Sequence, residues 1–333
     1  MNHFKVLRNL SFGRPILTIY DVTKLCNQRC PMCNIWKTRS ESLDLTAIEE
    51  QAKQLSAFGM GYVYLQGGEP TLRKDLIAIV DIFIKYGIKP TVLSNGILVK
   101  KELAEELAAR PCNLMLSVDS LIPERFAHMR GRDSLQKVLD NVAVLRNIPH
   151  RSNWSVTTTV SAISELDDVL NIRQWALDNG FMHAIRPYVF VKGVAGAEVA
   201  ELAADRQKVL NIFEHYIEIA KKENYLAYLV YREHIRYLKG ESMPMCDAYC
   251  RSLLMKENGA LAPCIEFPDE QAGLSGFAER YKELKPQLAA CNRDTPCFYN
   301  DAREIGVLWR HKLEIALHLP VILLQLKRYG NFF

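Results

Sequence analysis

Between Ile16 and about Ala220 the chain alternates strand-like and helix-like stretches six times, and this alternation constrains the fold more than any other feature. Ile16–Val22, Tyr62–Gln66, Pro90–Leu93, Asn113–Val118, Trp154–Val160 and His183–Val191 read as strands. Thr46–Phe58, Asp75–Tyr86, Lys100–Arg110, Ser134–Arg146, Leu166–Asn179 and Asp205–Lys222 read as helices. Thr46 and Glu49 have the spacing of a capping box, and Gly87, Pro111 and Gly180 stand at helix ends. Strands joined through helices imply a parallel sheet with right-handed crossovers. An open doubly wound sheet and a barrel-like (β/α)6 arc both satisfy the pattern. In both, the loops after the strands build the site. From about Gly240 to Asn300 the chain is expected to be loop-rich, a small unit stapled by metal. Residues 301–333 read as an amphipathic helix and tail, interrupted at Pro320. The expected division is an N-terminal extension over 1–14, the βα arc over 15–239, the small unit over 240–300 and the tail over 301–333.

The chain has 333 residues, enough to bury a core without disulfide staples. A net charge of +4 is too mild to argue for a nucleic-acid partner. Met1–Arg14 is polar and is not read as a secretory signal, so a cytoplasmic location is expected. The longest charge-free apolar run, Ile315–Leu326, is shorter than the ~20 residues of a spanning helix. Nine cysteines fall as Cys26, Cys30 and Cys33, then Cys112, then Cys246, Cys250, Cys264, Cys291 and Cys297. Clustering at both ends of an unsecreted chain argues for metal rather than disulfides.

Cys26, Cys30 and Cys33 form C-x3-C-x2-C just after the first strand. Three thiolates on a short loop can hold three irons of a [4Fe–4S] cluster and leave the fourth open to a small molecule. Structural zinc is the alternative, but it prefers four ligands and nothing near Cys26 supplies the fourth. Gly67-Gly68-Glu69-Pro70 follows the second strand. Its glycines allow close backbone approach, and the Glu69 carboxylate could accept from an ammonium. Ser94 and Asn95 follow the third strand, and Ser117 and Asp119 end the fourth. As plain local structure these are turn and cap residues. Thr157 and Thr159 share one face of the fifth strand, and Arg186 and Tyr188 one face of the sixth.

This combination resembles the radical S-adenosylmethionine (SAM) enzymes over Ile16 to about Val191. The resemblance favours a partial (β/α)6 barrel. It implies that Cys26, Cys30 and Cys33 hold a [4Fe–4S] cluster whose open iron binds SAM. Reduction would cleave SAM to a 5′-deoxyadenosyl radical that abstracts hydrogen from a substrate. Gly67, Gly68, Glu69 and Pro70 match the family's methionine-binding motif. Met32 matches the apolar position near the adenine. Ser94, Asn95 and Ser117 match polar strand ends that reach SAM, and Asp119 stands on the substrate side. Arg186 and Tyr188 are the catalytic candidates, a salt bridge being the plain alternative for Arg186. A soluble electron donor such as flavodoxin or ferredoxin is implied.

Cys246-x3-Cys250-x13-Cys264 resembles the SPASM and twitch domains of some radical SAM enzymes. Five cysteines suit one auxiliary [4Fe–4S] cluster, held by Cys246, Cys250, Cys264 and Cys297, with Cys291 as the alternative fourth ligand. Zinc competes here, because four cysteines suit it. Cys112 reads as a buried small hydrophobe. The expected substrate is a small molecule, a saccharide or a lipid-linked metabolite. Peptide modification is the second choice, and a non-catalytic metal-stapled redox or scaffold protein is the alternative of another class. Residues 308–333 mix apolar side chains with Arg310, Lys312, Lys327 and Arg328, a composition suited either to docking on the barrel or to peripheral contact with an anionic membrane.

Overall fold

The computed structural model describes residues 3–38, 41–150, 152–189, 196–265, 277–294, 297 and 300–329. The six expected strands form as β1 (Leu17–Thr23), β2 (Tyr62–Gly67), β3 (Lys89–Ser94), β4 (Asn113–Ser117), β5 (Trp154–Val160) and β6 (Met182–Pro187). They pair in parallel and in chain order. A doubly wound sheet would reverse its order at a switch point. This one does not, so the alternation resolves as a partial barrel.

Two more strands follow, β7 (Ser252–Met255) and β8 (Leu261–Ala262). β7 pairs in parallel with the free side of β1, Leu17 opposite Ser252, and β8 folds back antiparallel on β7. The second cysteine segment therefore extends the main sheet. β1, with a strand on each side, is buried along its whole length.

Helices α1 (His3–Ser11), α2 (Leu45–Phe58), α3 (Leu76–Lys85), α4 (Lys101–Ala108), α5 (Pro123–Arg130), α6 (Leu135–Leu145) and α7 (Leu166–Asp178) accompany the first five strands. After β6 come α8 (Ala200–Ala203), α9 (Arg206–Glu223), α10 (Tyr225–Leu238), α11 (Phe277–Asp294), α12 (Asn300–Arg310), α13 (Lys312–Leu317) and α14 (Leu319–Tyr329). Alternate strand residues such as Val63, Leu65 and Trp154 pack in one core with Ile48 of α2, Phe83 of α3 and Val142 of α6. Phe213 of α9 and Tyr231 of α10 form a second core with Val307 of α12 and Ile322 of α14.

Several expectations need correction. The N-cap of α2 is Asp44, whose carboxylate accepts from Ala47 N at 2.8 Å. Thr46 lies inside the helix, so the expected capping box does not form. The segment expected to be loop-rich over 240–300 contains the 18-residue α11, which accommodates Pro286. The tail is three helices, broken at His311 and His318. Pro320 stands in the first turn of α14, where its missing N–H costs nothing. α10 was not foreseen. It is capped by Asn224, which accepts from Ala227 N, and its tyrosine-rich sequence masks the helical period.

A buried imidazole joins β5, β6 and α9. The His183 ring nitrogens lie 2.8 Å from the Thr158 hydroxyl and 2.7 Å from that of Tyr216. Burial pushes the His183 pKa down from 6.5 to about 3. Between these values the unfolded chain binds a proton that the folded chain does not, so stability falls as pH drops from 6.5 toward 3. His183→Gln is expected to cost ~1–2 kcal/mol at neutral pH and to lose less stability than the wild type on acidification. Urea midpoints of both proteins on either side of pH 6.5 measure this.

Candidate active site

The three cysteines lie on the loop that leaves the C-terminal end of β1, and neighbouring loops hold that loop from three directions. The first is the turn after β2. Gly68 N donates to Thr23 O at 2.7 Å, and Glu69 N donates to Leu25 O at 2.8 Å. A Cβ on Gly67 would stand 2.2 Å from Thr23 O, and one on Gly68 2.1 Å from Leu25 O. The glycines thus admit the chain's own backbone at the root of the cysteine loop.

Glu69 is 1% exposed and caps the short helical turn Pro70–Leu72. Its Oε1 accepts from Thr71 N at 3.1 Å, Thr71 Oγ1 at 2.6 Å and Ser94 Oγ at 2.8 Å. Its Oε2 accepts from Asn95 N at 2.7 Å. Burial pushes its pKa up while these donors pull it down. The Asn95 amide then reaches Asn27 Oδ1 at 2.7 Å. Glu69, Ser94 and Asn95 therefore form one network that ends on the cysteine loop.

The second grip comes from the α5–α6 junction, and sequence reasoning missed it. Arg132 donates to Asn27 O at 3.1 Å, and Gln28 to Ser134 Oγ at 3.3 Å. The Cys30 thiol donates to Arg130 O at 3.5 Å. Arg130 pairs at 2.7 Å with Asp119, whose other oxygen accepts from Thr159 N at 2.8 Å. Asp119 thus holds a buried cation beside the cysteines. Gly131, at φ +64°, packs so closely that a Cβ would meet Arg29 O at 2.0 Å. The run Met-Arg-Gly-Arg was the available signal, a glycine between two cations next to a helix cap.

The third grip follows β6. Ala197 N donates to Met32 O at 2.9 Å, and Asn34 donates to Gly196 O at 2.8 Å. Tyr188 holds this segment. Its hydroxyl donates to Ala197 O at 2.6 Å and accepts from Val199 N at 3.0 Å. Tyr188 thus acts as a brace. Arg186 points into the arc and makes a two-point ion pair with Glu304 of α12, both contacts 3.0 Å. Tyr64, Met115, Ala184 and Tyr231 line the same small cavity. Ser117 lies opposite Thr157 in the β4–β5 register.

The loop's chemistry fits an iron–sulfur cluster. Cys26, Cys30 and Cys33 are free thiols, and each is half-buried. Burial pushes all three pKa values up, that of Cys30 to about 11, so the thiolates need compensating positive charge. Gln28 N donates to Cys26 Sγ at 3.5 Å, and the N–H groups of Ile35 and Trp36 favour the Cys33 thiolate. The Arg130 guanidinium favours the Cys30 and Cys33 thiolates. Iron would supply the rest of the compensation. Among the described residues no three His, Cys, Asp or Glu side chains converge closely enough to hold a single ion.

Asp21 is a further candidate on the same rim. Its pKa is pushed up to about 6 by burial, and Gln66 donates to it at 3.2 Å. A carboxylate as the one charged residue of the first strand was a legible signal. Lys24 and Glu257 pair nearby at 2.8 Å, bringing the end of β7 to this rim.

The second cysteine set lies at the other end of the sheet. Cys246 and Cys250 stand in the turn before β7, and the Cys250 thiol donates to Gly13 O at 3.8 Å. Continuing the Leu254–Ala262 register by two residues puts Cys264 beside Ser252. β1 separates the two sets by about 20 Å, the length of its seven residues. Cys297 is buried, and both it and Arg303 are near enough to Tyr237 to influence that hydroxyl electrostatically. Arg303 in turn donates to Pro244 O at 2.9 Å, just before Cys246. The Cys291 side chain lies outside the described residues. Cys112 is fully buried, as expected.

A partial parallel barrel that keeps three thiols clamped at its C-terminal rim is built to present a metal cluster to a bound molecule. Residues 20–176 match the Radical SAM superfamily. Together with the relatives that follow, this match identifies a radical SAM enzyme. It is similar to a probable GTP 3′,8-cyclase of Sulfurisphaera tokodaii, 28% identical over 272 residues, covering 78% of this chain and 84% of that one. It is also similar to a GTP 3′,8-cyclase of Helicobacter pylori, 25% identical, covering 87% and 94%. Among solved structures, Streptococcus suis SuiB bound to S-adenosylmethionine shares the fold, with a TM-score of 0.62 and 16% identity, covering 85% of this chain and 69% of that one.

Gly131→Ala is expected to disturb the cysteine loop and lower the iron retained per chain after anaerobic reconstitution. Gly180→Ala is the control: it has a similar positive φ, but nothing lies within 4 Å of its added Cβ. Both should lose ~1–2 kcal/mol of backbone stability. Only Gly131→Ala should lose iron.

Proposed function

We propose that the chain abstracts hydrogen from a small molecule held inside the arc, between the two cysteine sets. The observation that carries this reading is the clamped thiol loop at one end of β1, with the Cys246, Cys250 and Cys264 segment at the other. When bound, the Cys26, Cys30 and Cys33 cluster and SAM would supply the 5′-deoxyadenosyl radical. Glu69, Asn95, Arg130 and Tyr188 keep the loop in place. Ser94, Asn95 and Ser117 lie at strand ends toward the SAM side, with Met32 beside the third cysteine. Asp21 and Arg186 line the interior, where substrate would sit. Cys246, Cys250 and Cys264, with Cys297 as the fourth ligand, would hold an auxiliary [4Fe–4S] cluster that exchanges electrons with the substrate.

The similarity to GTP 3′,8-cyclases supports a small-molecule substrate and makes guanosine triphosphate the first to test. It gives no support to peptide modification. Flavodoxin or ferredoxin would be the reductant, and residues 240–300 would form the auxiliary unit.

Anaerobically reconstituted protein, reduced with dithionite, should convert SAM to 5′-deoxyadenosine, and the variant with Cys26, Cys30 and Cys33 replaced by Ala should not. Iron and sulfide analysis should find more iron than one cluster supplies, with the excess lost when Cys246, Cys250 and Cys264 are replaced. Deuterated guanosine triphosphate should transfer label into 5′-deoxyadenosine. A protein containing zinc alone, or deoxyadenosine formation by the triple variant, would sink the reading. Absence of label with guanosine triphosphate but transfer from another small molecule would correct only the substrate.

A further inference from the structure

We propose that α1 and α13–α14 form a docking face for an anionic phospholipid bilayer. Six large aliphatic side chains are exposed on the two C-terminal helices: Leu313, Leu317, Leu319, Val321, Leu323 and Leu324. Leu317 is 81% exposed and Leu324 68%. α14 uses Ile322 and Gln325 to dock on the α9–α10 junction, where Gln325 donates to Lys222 O at 2.9 Å and accepts from Tyr225 N at 2.8 Å. The helix is therefore fixed with most of its aliphatic surface outward. The N-terminal segment repeats the arrangement. Asn9 anchors α1 by donating to Phe58 O and Pro15 O, while Phe4, Leu7 and Phe12 face solvent. The two elements meet at an apolar groove lined by Leu10, Leu308, Trp309 and Ile315, with Arg14 and Lys312 among its cations. An apolar surface this extensive marks an interaction site.

Charge identifies the occupant. Residues 1–16 carry three basic and no acidic side chains, and residues 308–333 carry four basic and one acidic. Each segment is +3, against +4 for the whole chain, so the remainder is net negative. The single acid, Glu314, is taken up by Arg232 at 2.6 Å and Tyr225 at 2.9 Å. Lys312 lies over the Trp309 ring and, like Lys327 and Arg14, has no ion-pair partner among the described residues. A twofold contact between two copies would set positive against positive. An anionic lipid surface satisfies both the cations and the aliphatic side chains, as interfacial helices do. No helix among the described residues is long and apolar enough to cross the bilayer, so the contact is peripheral.

Flotation of the full chain with phosphatidylglycerol–phosphatidylcholine vesicles tests this, with pure phosphatidylcholine vesicles as the control. The wild type should float with the anionic vesicles, stay behind with the neutral ones, and be released as salt is raised. Leu317→Asp/Leu324→Asp should weaken flotation about tenfold or more. Lys312→Glu/Lys327→Glu, which keeps the apolar face, should do the same. Thermal midpoints and 5′-deoxyadenosine formation of both variants should match the wild type, which separates this test from the catalytic reading. Failure to float, or equal flotation with both vesicle types, would overturn the proposal. So would a wild-type dimer that Leu317→Asp/Leu324→Asp converts to monomer without any vesicle binding.

Discussion

The Glu69 carboxylate is the point on which the rim depends. One buried group accepts four hydrogen bonds from two successive strand ends, and its own backbone N–H grips the loop after β1. Removing it would orphan several buried donors together, and each orphan costs ~1–3 kcal/mol. The bond from Asn95 to Asn27 passes this rigidity to the cysteines. A thiol loop that must shape itself around a cluster would otherwise lose chain entropy each time it did so. Here most of that ordering is done by the fold.

The buried ion pairs serve a related purpose. Asp119 and Arg130 lie together at the end of β4, and the guanidinium is close enough to Cys30 and Cys33 to favour their charged forms. Arg186 and Glu304 neutralise each other inside the arc and tie β6 to α12. The C-terminal helices are thus joined to the interior of the barrel as well as packed on its outside.

What could be read in the sequence was local. Six strands, most of their helices and the three-cysteine loop follow from periodicity, turn residues and spacing within a few tens of positions. Glu69 stood out in the sequence as an acceptor after the second strand, whereas its bonds to Ser94 and Asn95, 25 and 26 positions on, did not. What could not be read was distant pairing. The Gln28–Ser134 and Arg186–Glu304 contacts join residues more than a hundred positions apart, and no local pattern announces them. The parallel pairing of β7 with β1 was hidden for the same reason. The misplaced cap at Thr46 had a different cause: Asp44, two residues earlier, offered a competing acceptor of equal quality.

The two-sided burial of β1 also has a consequence for synthesis. β2 covers one side early, but the other side stays open until residue 255 has been made. At 5–20 residues per second that interval is about 10–50 s. During it the nascent chain presents a strand rich in β-branched residues with unpaired backbone groups along one side, an invitation to wrong pairing. The segment that closes this edge also carries Cys246, Cys250 and Cys264. Closure of the sheet and completion of the second cysteine set therefore share one stretch of chain, and a nascent chain stalled before Ser252 would have an open edge, lack Cys264 and be a natural client for a chaperone.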